Sequence, residues 1–343
     1  MEATFEVLSP GLLTTVQDAG RPGFGHLGVP QGGAADPWSL AVANLLIGNG
    51  AGSAVLECTV VGPDLRVIRE TIVGLTGPDL GAFVRPSGRR LRPNAAHALA
   101  AGEVLSMPGG QVGRGLRAYL AVPGGLDVPS VLSSRSTCLA GAFGGLDGRP
   151  LRTGDRLAQL ADVTPEVASG WVGRTWPASP ADPMPGVVVR LLPGPEINEG
   201  PEQVEAACRA LSAGAWMADP ASDRQAIRLV GSWRDAMPML AGAGEWLSHG
   251  VVPGAIQLPP DGRPIVLLAD AQPTGGYPVV ALAIAADVPI LGQLAPGDPI
   301  RFEPVTADAA RAAWAERQAA LASGKRRLRE AVGWDDLWQS AGS

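Results

Sequence analysis

Lysine is almost missing from this sequence. Lys325 is the only lysine among 343 residues, and it lies in a charged stretch near the C-terminus. A Schiff-base lysine, the lysine of a phosphate-binding loop and a biotin-carrying lysine would each have to be this one residue. We therefore expect none of these three chemistries from the chain itself.

Positive charge, export signals and long apolar runs are also scarce. The formal net charge is −6, and the basic clusters at 89–92 and 325–327 are short, whereas nucleic-acid-binding domains usually carry a basic face. The first residues lack a basic region followed by an apolar one, and no apolar run approaches about 18 residues. We expect a soluble cytoplasmic protein that binds neither nucleic acid nor membrane.

Cysteine and histidine are too few and too scattered for a metal centre. The cysteines are an odd, widely spaced set, namely Cys58, Cys138 and Cys208, which favours free thiols in a reducing compartment. The three histidines are isolated as well, and no pair of these residues has the spacing of zinc ligands. The sequence predicts no metal site.

Glycine and proline, in contrast, are abundant. The 46 glycines and 32 prolines separate short apolar runs such as Ile265–Leu268 and Val279–Ile284, a pattern typical of strands joined by tight turns. The length exceeds one ordinary core, since domains usually have roughly 100–200 residues. The sequence therefore predicts a mainly β protein of two domains.

Three segments have the pattern of a helix. The first, Pro37–Ile47, has Asp36 as its N-cap and proline at its first position. The second runs from Pro201 to about Leu211, and the third from Ala307 to about Ala322, with a break expected at Gly324 before a second short helical stretch.

A stretch rich in proline, alanine and serine between Trp171 and Gly186 has no periodicity and suits a linker. We therefore place an N-terminal β-barrel-like domain at 1–170, the linker at 171–186, a C-terminal domain at 187–304 and a helical tail at 305–343.

The first candidate site lies in Gly11–Asp36, which combines glycines with Gln17, Asp18, Arg21 and His26. A glycine-rich loop brings backbone N–H groups close to an anion or carbonyl, and polar side chains can orient it. The alternative is a structural hairpin held by an Asp18–Arg21 pair.

Arginines beside hydroxyl groups form two further candidates. Arg135 is surrounded by three serines and a threonine, and Ser222 is followed by Arg224 and Arg228. A guanidinium group matches a carboxylate or phosphate bidentately. A surface salt bridge at Arg135 and a solvated charged turn at 222–228 are the alternatives.

The segment Val251–Tyr277 is the richest in polar groups at strand ends. It predicts a strand to Gln257, a turn at 259–262 and a returning strand Ile265–Asp270. Polar groups beside apolar strands are typical of a small ligand site. Its candidates are Gln257, Gln272, Thr274, Gly275, Gly276 and Tyr277. No G-x-S-x-G motif of a serine hydrolase is present.

These segments carry a family resemblance. Gly11–Asp18, His26–Pro30 and Val251–Tyr277 resemble the KipA family, which includes the C subunit of 5-oxoprolinase and the allophanate hydrolase subunit 2 domain and is often labelled biotin-dependent carboxyltransferase. The resemblance covers about residues 4–304. It implies two cyclophilin-like β-barrel domains followed by a C-terminal helix, and a site completed by a partner protein.

The resemblance also implies roles for the candidates. The residues that match the family's motifs are Asp18, Arg21, Arg224, Gln257, Gln272, Thr274 and Tyr277. Of all the candidates, we assign catalysis to Asp18, Arg21, Gln272 and Tyr277. Substrate binding is assigned to Gln17, His26, Arg135, Ser222, Arg224, Arg228, Gln257, Thr274, Gly275 and Gly276.

The activity implied first is that of one component of a heteromeric 5-oxoprolinase. Such a complex uses ATP to hydrolyse the 5-oxoproline lactam to L-glutamate, and the partners implied are a KipI-like protein of the 5-oxoprolinase B type and a protein of the 5-oxoprolinase A type. One alternative is a carboxyltransferase component that acts on urea or a related amide with biotin carried by another chain. Another is a non-enzymatic KipA-like antagonist of a kinase inhibitor.

The chain departs from the family's pattern in two places. Gln225-Ala226-Ile227 stands where the family usually has Met-Gly-Tyr, and Asp270-Ala271-Gln272-Pro273-Thr274 stands where it usually has Asp-Arg-Gln-Thr-Thr. A tyrosine and an arginine are thus replaced near the expected site, and both departures bear on substrate identity.

Overall fold

A computed structural model of the chain describes residues 2–110, 115–162, 170–177, 187–195, 201–231 and 247–330. The helices are α1 (Pro37–Leu46), α2 (Pro201–Ala213), α3 (Val288–Leu291) and α4 (Ala307–Glu330), with a 3-10 turn at Gly25–Leu27. Within the described ranges, no helix is long and apolar enough to cross a membrane.

The N-terminal half consists of eleven strands in two sheets. The strands are β1 (Phe5–Ser9), β2 (Leu13–Gln17), β3 (Val55–Thr59), β4 (Asp64–Val67), β5 (Thr71–Thr76), β6 (Phe83–Arg85), β7 (Arg89–Arg90), β8 (Ala95–Leu99), β9 (Val104–Ser106), β10 (Arg117–Ala121) and β11 (Arg156–Leu157). One sheet has the order β11-β1-β4-β9-β6-β7 and the other β2-β3-β10-β5-β8.

The second of these sheets is buried on both faces. Leu56 and Leu120 point into the core between the two sheets, whereas their neighbours Val55 and Tyr119 point towards α1. Because side chains alternate along a strand, two covered faces require continuous apolar runs, and β3 and β5 are buried at every position.

The predicted first helix is confirmed. Helix α1 begins at Pro37, and the carboxylate of Asp36 accepts hydrogen bonds from the backbone N–H groups of Trp38 and Ser39, both at 3.0 Å. This N-cap satisfies donors that a helix start leaves open. The helix lies across the outer face of the five-stranded sheet.

The C-terminal half is a closed barrel with the strand order β12-β19-β16-β17-β14-β13-β20. Its strands, and those of a separate two-stranded ribbon β15–β18, are β12 (Val187–Pro193), β13 (Trp216–Ala218), β14 (Ala226–Gly231), β15 (His249–Gly250), β16 (Ala255–Gln257), β17 (Ile265–Leu267), β18 (Thr274–Gly275), β19 (Val279–Ala283) and β20 (Pro299–Pro304). The parallel pair β12–β20 closes the barrel. The prediction of a mainly β chain with barrel architecture and a C-terminal helix is confirmed.

The third predicted helix differs from its prediction at Gly324. Helix α4 continues through Gly324 to Glu330 without the expected break. The reason is a close contact, because a Cβ atom at Gly324 would lie only 1.9 Å from the ring of Trp176. Glycine here permits helix packing rather than ending the helix.

Helix α4 also connects the two halves. It follows the last barrel strand, yet Leu328 packs in the cluster that contains α1, Trp171 and Trp176. These two tryptophans belong to the predicted linker, of which residues 178–186 lie outside the described ranges. The exact domain boundaries stay a prediction.

Candidate functional site

A cavity of about 710 Å³ opens on the wall of the C-terminal barrel. It brings together four of the predicted site residues, namely Arg228 on β14, Gln257 on β16, and Gln272 and Tyr277 on the segment that leads to β19. The volume lies in the range of small-molecule sites.

The cavity offers several kinds of polar contact. The lining includes a second arginine, Arg263, and three carboxylates, Asp219, Asp223 and Asp261, beside the apolar side chains of Ile265 and Leu267. Guanidinium groups bind carboxylates, while amide and phenol groups hydrogen-bond to an amide. The lining therefore suits a small molecule that carries an acid and an amide.

Close packing fixes Gln257 within this wall. Its side chain is buried, and its Nε2 donates to the backbone oxygen of Tyr277 at 3.3 Å. A Cβ atom at Gly275 would lie 2.4 Å from that nitrogen, so glycine is required there. The role of Gly275 is thus to make space, and Thr274 beside it is exposed and belongs to the β15–β18 ribbon.

Ser222 supports the strand that carries Arg228. Its hydroxyl accepts a hydrogen bond from the backbone N–H of Arg228 at 3.1 Å. The first family departure also lies here, since Gln225 and Ala226 line the cavity whereas Ile227 points into the barrel core. The position where the family usually has tyrosine is therefore not part of the cavity wall.

The second departure is remote from the lining as well. Ala271 is buried in a small apolar cluster with Ala255, Leu267 and Val279. An arginine at this position would need a different local packing. The neighbouring Gln272, in contrast, is exposed and lines the cavity.

Arg224 occupies a different position from Arg228 and does not line this cavity. Its Nε and Nη2 donate to the two carboxylate oxygens of Asp270 at 2.8 and 3.0 Å, its Nη1 contacts Glu57, and Nη2 also donates to the backbone oxygen of Gly33 at 2.6 Å. Burial alone would lower the pKa of Arg224, but the two carboxylates outweigh it and raise that pKa.

All three guanidinium nitrogens of Arg224 therefore have partners inside the protein. Because Glu57 and Gly33 belong to the N-terminal half, Arg224 joins the two halves. Its assignment to substrate binding stays a prediction, and its contacts give it a structural role.

The predicted residues of the Gly11–Asp36 segment form a second cluster. Asp18 accepts hydrogen bonds from the backbone N–H of Gly20 at 2.8 Å, the hydroxyl of Ser134 at 2.6 Å and the backbone N–H of Arg135 at 2.5 Å. The cluster thus ties the first loop to the 134–137 segment.

Arg21 makes no ion pair with Asp18 and is only 1% exposed. Its Nη2 donates to the backbone oxygen of Ser136 at 2.5 Å, and its guanidinium group lies 4.9 Å from the ring centre of Phe143. Burial lowers the pKa of Arg21. The hairpin pair considered from the sequence is thus replaced by contacts to the 136–143 segment.

The remaining predicted residues of this half lie around the cluster. Gln17 is buried, and its Nε2 donates to the hydroxyl of Thr15 at 3.0 Å. His26 is exposed, with Nδ1 3.0 Å from the backbone oxygen of Gly23. Arg135 is half-buried.

The two clusters meet at the junction of the halves. The backbone N–H of Gly32 donates to the backbone oxygen of Ala269 at 2.9 Å, next to the Asp270–Arg224 pair. Residues 18–36 therefore lie against the segment that leads into Gln272. The loop and the barrel cavity are neighbours, although none of the residues of Gly11–Asp36 lines the cavity.

Sequence reasoning missed the buried polar residues of this junction. Glu57 accepts hydrogen bonds from the hydroxyl of Tyr119 at 2.8 Å and from the backbone N–H of Ala35 at 2.9 Å. Burial would raise the pKa of Glu57, but Arg224 and Arg117 outweigh it and lower that pKa. The available signal was a carboxylate within the apolar strand β3.

Gln293 completes the junction from the barrel side. Its Nε2 donates to the carboxylate of Asp36 at 2.8 Å and to the backbone oxygen of Arg117 at 2.9 Å, and its Oε1 accepts from the backbone N–H of Arg117 at 2.9 Å. One glutamine side chain thus binds both α1 and β10. Among the residues that the structure describes, no group of acidic, histidine or cysteine side chains has the arrangement of a metal site.

Comparison with known proteins adds the family. Residues 27–304 match the family described as carboxyltransferase domain, subdomain A and B. The C subunit of the 5-oxoprolinase of Escherichia coli is 38% identical and aligns over 87% of this chain and 90% of its own length. The urea amidolyase of Lachancea kluyveri is 32% identical over 92% of this chain but only 18% of its own length.

A solved structure shows the same fold. The crystal structure of TTHA0988 is 36% identical and has a TM-score of 0.74 over 88% of this chain, which spans 56% of the length of that chain. Together with the match of the family model over most of the sequence, these likenesses show that the chain belongs to the family of the carboxyltransferase domain, subdomain A and B.

Proposed function

We propose that this chain is the C subunit of a heteromeric ATP-dependent 5-oxoprolinase, which hydrolyses the lactam of 5-oxoproline to L-glutamate. The partners are a KipI-like protein of the 5-oxoprolinase B type, called the B-type partner below, and a protein of the 5-oxoprolinase A type. The observation that carries this proposal is the mutual, nearly complete coverage with the Escherichia coli protein.

The cavity on the barrel supplies chemistry that suits this substrate. 5-Oxoproline carries one carboxylate and one lactam amide, and Arg228 or Arg263 binds the carboxylate bidentately. The Oε1 of Gln257 accepts the lactam N–H, because its Nε2 is already bound to the backbone of Tyr277. The hydroxyl of Tyr277 and the amide of Gln272 donate to the lactam oxygen, where negative charge develops during hydrolysis.

ATP activates the lactam, which is a poor electrophile, but the described residues of this chain do not fit a nucleotide phosphate. Helix α1 begins after two glycines, yet its first turn is capped by the carboxylate of Asp36, which Gln293 also contacts. A phosphate there would meet a negative charge. The one lysine, Lys325, is exposed on α4. We assign the nucleotide to the partner proteins.

A second candidate is a carboxyltransferase component that acts on urea or a related amide. The similarity to urea amidolyase over nearly all of this chain favours it. Biotin would then be carried by another chain, since the one lysine lies on α4 rather than in a tight turn. A KipA-like antagonist without catalysis is the third candidate, and it predicts binding to a KipI-type protein without turnover.

Co-expression with both partner proteins separates the three candidates. We expect ATP hydrolysis by the purified complex to rise with 5-oxoproline and to stay at its basal rate with urea. A complex that lacks this chain is the control and should show no rise. Stimulation by urea, or none by either compound from an intact complex, would refute the 5-oxoprolinase assignment.

A further inference from the structure

A second cavity of about 770 Å³ lies on the N-terminal half and takes no part in the proposed reaction. It lies between the outer strand β8, the β6–β7 hairpin and residues 172–176. Arg89 and Arg90 come from β7, and Arg92 from the turn that follows it. The residues of the first cavity all belong to the C-terminal half, so the two sites are separate.

The rim of this cavity is positive in an otherwise acidic chain. Arg89, Arg90 and Arg92 are all exposed, and Glu103 is the one carboxylate among the lining residues. Arg89 lies 3.6 Å from Glu103 and donates to the backbone oxygen of Ala98 at 2.8 Å. Within the described ranges, no carboxylate lies within 4 Å of Arg90 or Arg92, so both charges are available to a ligand.

The floor of the cavity is apolar and follows a strand edge. Val172, Trp176 and the alanines of β8 line it. The first part of β8 pairs with the 173–176 segment, where the backbone N–H of Ala96 donates to the oxygen of Arg174 at 2.9 Å. Beyond this pair the edge opens into the cavity, a geometry that suits an extended peptide.

We propose that this cavity docks an acidic, extended segment of a partner protein. Its carboxylates bind Arg90 and Arg92, and a bulky apolar side chain lies on the floor beside Trp176. Arginine and tryptophan are the residues that dominate binding energy at protein interfaces, and complementary charge selects the partner. The identity of the partner rests on the proposed function, whereas the chemistry of the segment rests on the cavity.

The length of TTHA0988 supports a partner of substantial size. That protein carries the same fold in a chain of which this one spans 56%. A further polypeptide segment thus accompanies this fold in a solved relative. In a heteromeric complex the corresponding contact requires a docking surface on the chain.

Isothermal titration calorimetry with the purified B-type partner tests the proposal. We expect the double variant Arg90→Glu/Arg92→Glu to bind at least tenfold more weakly than the wild type, with a difference that shrinks at high ionic strength. The matched control is Arg152→Glu/Arg156→Glu, which makes the same charge change at two other exposed arginines of the same half. Equal weakening by both variants would overturn the proposal.

A synthetic peptide separates this proposal from the proposed function. If the wild-type chain shows no binding to the B-type partner, the complex is refuted, and a fluorescent Glu-Trp-Glu-Asp-Leu peptide then tests the cavity alone. The wild type should bind it and the Arg90→Glu/Arg92→Glu variant should not, with folding of both checked by circular dichroism. Absent or equal binding would overturn the docking site.

Removal of the residues after Glu330 tests the competing occupant. The sequence there includes Asp335 and Asp336 between Trp334 and Trp338, the same chemistry that the cavity selects. We expect the chain that ends at Glu330 to bind the peptide with unchanged affinity. A severalfold gain in affinity would identify the chain's own segment as the occupant and overturn the partner as ligand.

Discussion

At the scale of single residues, two arginines four positions apart on one strand and its approach have opposite roles. Arg224 is buried and fully bonded within the protein, while Arg228 is exposed and lines the cavity. The sequence singled out both as an anion anchor. It could not separate them, because their difference arises from Glu57, which lies 167 residues away in the chain.

Arg224→Ala should reduce the free energy of unfolding by about 3–5 kcal/mol, because it leaves Glu57 and Asp270 as uncompensated buried charges. Urea denaturation measures this loss. Arg228→Ala is the matched control and should change stability by at most about 0.5 kcal/mol, as expected of an exposed side chain. Equal stability of the two variants would contradict the role of Arg224 at the junction.

The same two positions should separate differently in substrate binding. In the assembled complex, Arg228→Ala is expected to raise the KM for 5-oxoproline about tenfold or more, since a hydrogen bond to a charged group contributes about 1.5–3 kcal/mol. Steady-state kinetics measure this, with Arg152→Ala as the control on the other half. An unchanged KM would remove Arg228 from the site.

The cysteine thiols should be inert in the folded protein. All three are buried, and burial raises the pKa of Cys58 to about 12. Because the folded state favours the protonated thiol, this contribution to stability is complete below the ordinary thiol pKa of about 8.5 and is lost as the pH rises towards 12. Iodoacetamide at pH 9 should alkylate the cysteines only after denaturation, and rapid labelling of native protein would contradict this burial.

At the scale of elements, local patterns predicted what local chemistry determines. Helix α1 begins and ends close to its predicted bounds because Asp36, Pro37 and Gly48 act on their neighbours. The β16–β17 hairpin likewise follows from the turn at 259–262. The closure of the barrel by β12 and β20 was not predictable, because it pairs Val187 with Ile300 across the whole C-terminal half.

Helix α4 shows how tertiary contact overrides a local rule. Glycine in a helix usually signals a break, but Gly324 is buried against Trp176, a residue about 150 positions earlier. Sequence spacing alone contains no information about this contact. The break was therefore predicted where the helix in fact packs most tightly.

Substitution at Gly324 tests this account. Alanine normally stabilises a helix interior by about 1 kcal/mol relative to glycine, yet Gly324→Ala should destabilise the protein by about 1–3 kcal/mol because the new methyl group overlaps the tryptophan ring. Thermal unfolding measures the sign. The second variant Trp176→Leu in the Gly324→Ala background should cost less than the sum of the two single changes, and additive costs would contradict the contact.

At the scale of the whole molecule, the two halves are joined by buried polar groups. Arg224 and Gln293 reach from the barrel half to Glu57, Gly33 and Asp36 in the N-terminal half. This junction holds the loop that contains Asp18 next to the segment that contains Gln272. Each half thus contributes one cluster of the predicted site residues.

About half of the candidate site was accessible from sequence. Gln257, Gln272 and Tyr277 line one cavity because they follow one another closely around a hairpin. Arg263 and the three carboxylates of the lining were not singled out, since charged residues in turns are usually solvated. The junction residues escaped notice because each pairs with a residue far away in the chain.

The central claim is that this chain completes an ATP-dependent 5-oxoprolinase. The most direct test is the L-glutamate formed per ATP hydrolysed by the reconstituted complex, measured with 5-oxoproline as substrate and with and without this chain. We predict that glutamate forms only when all components are present and that Arg228→Ala reduces its formation at low substrate concentration. Glutamate formation at an equal rate without this chain, or none from an intact complex, would contradict the claim.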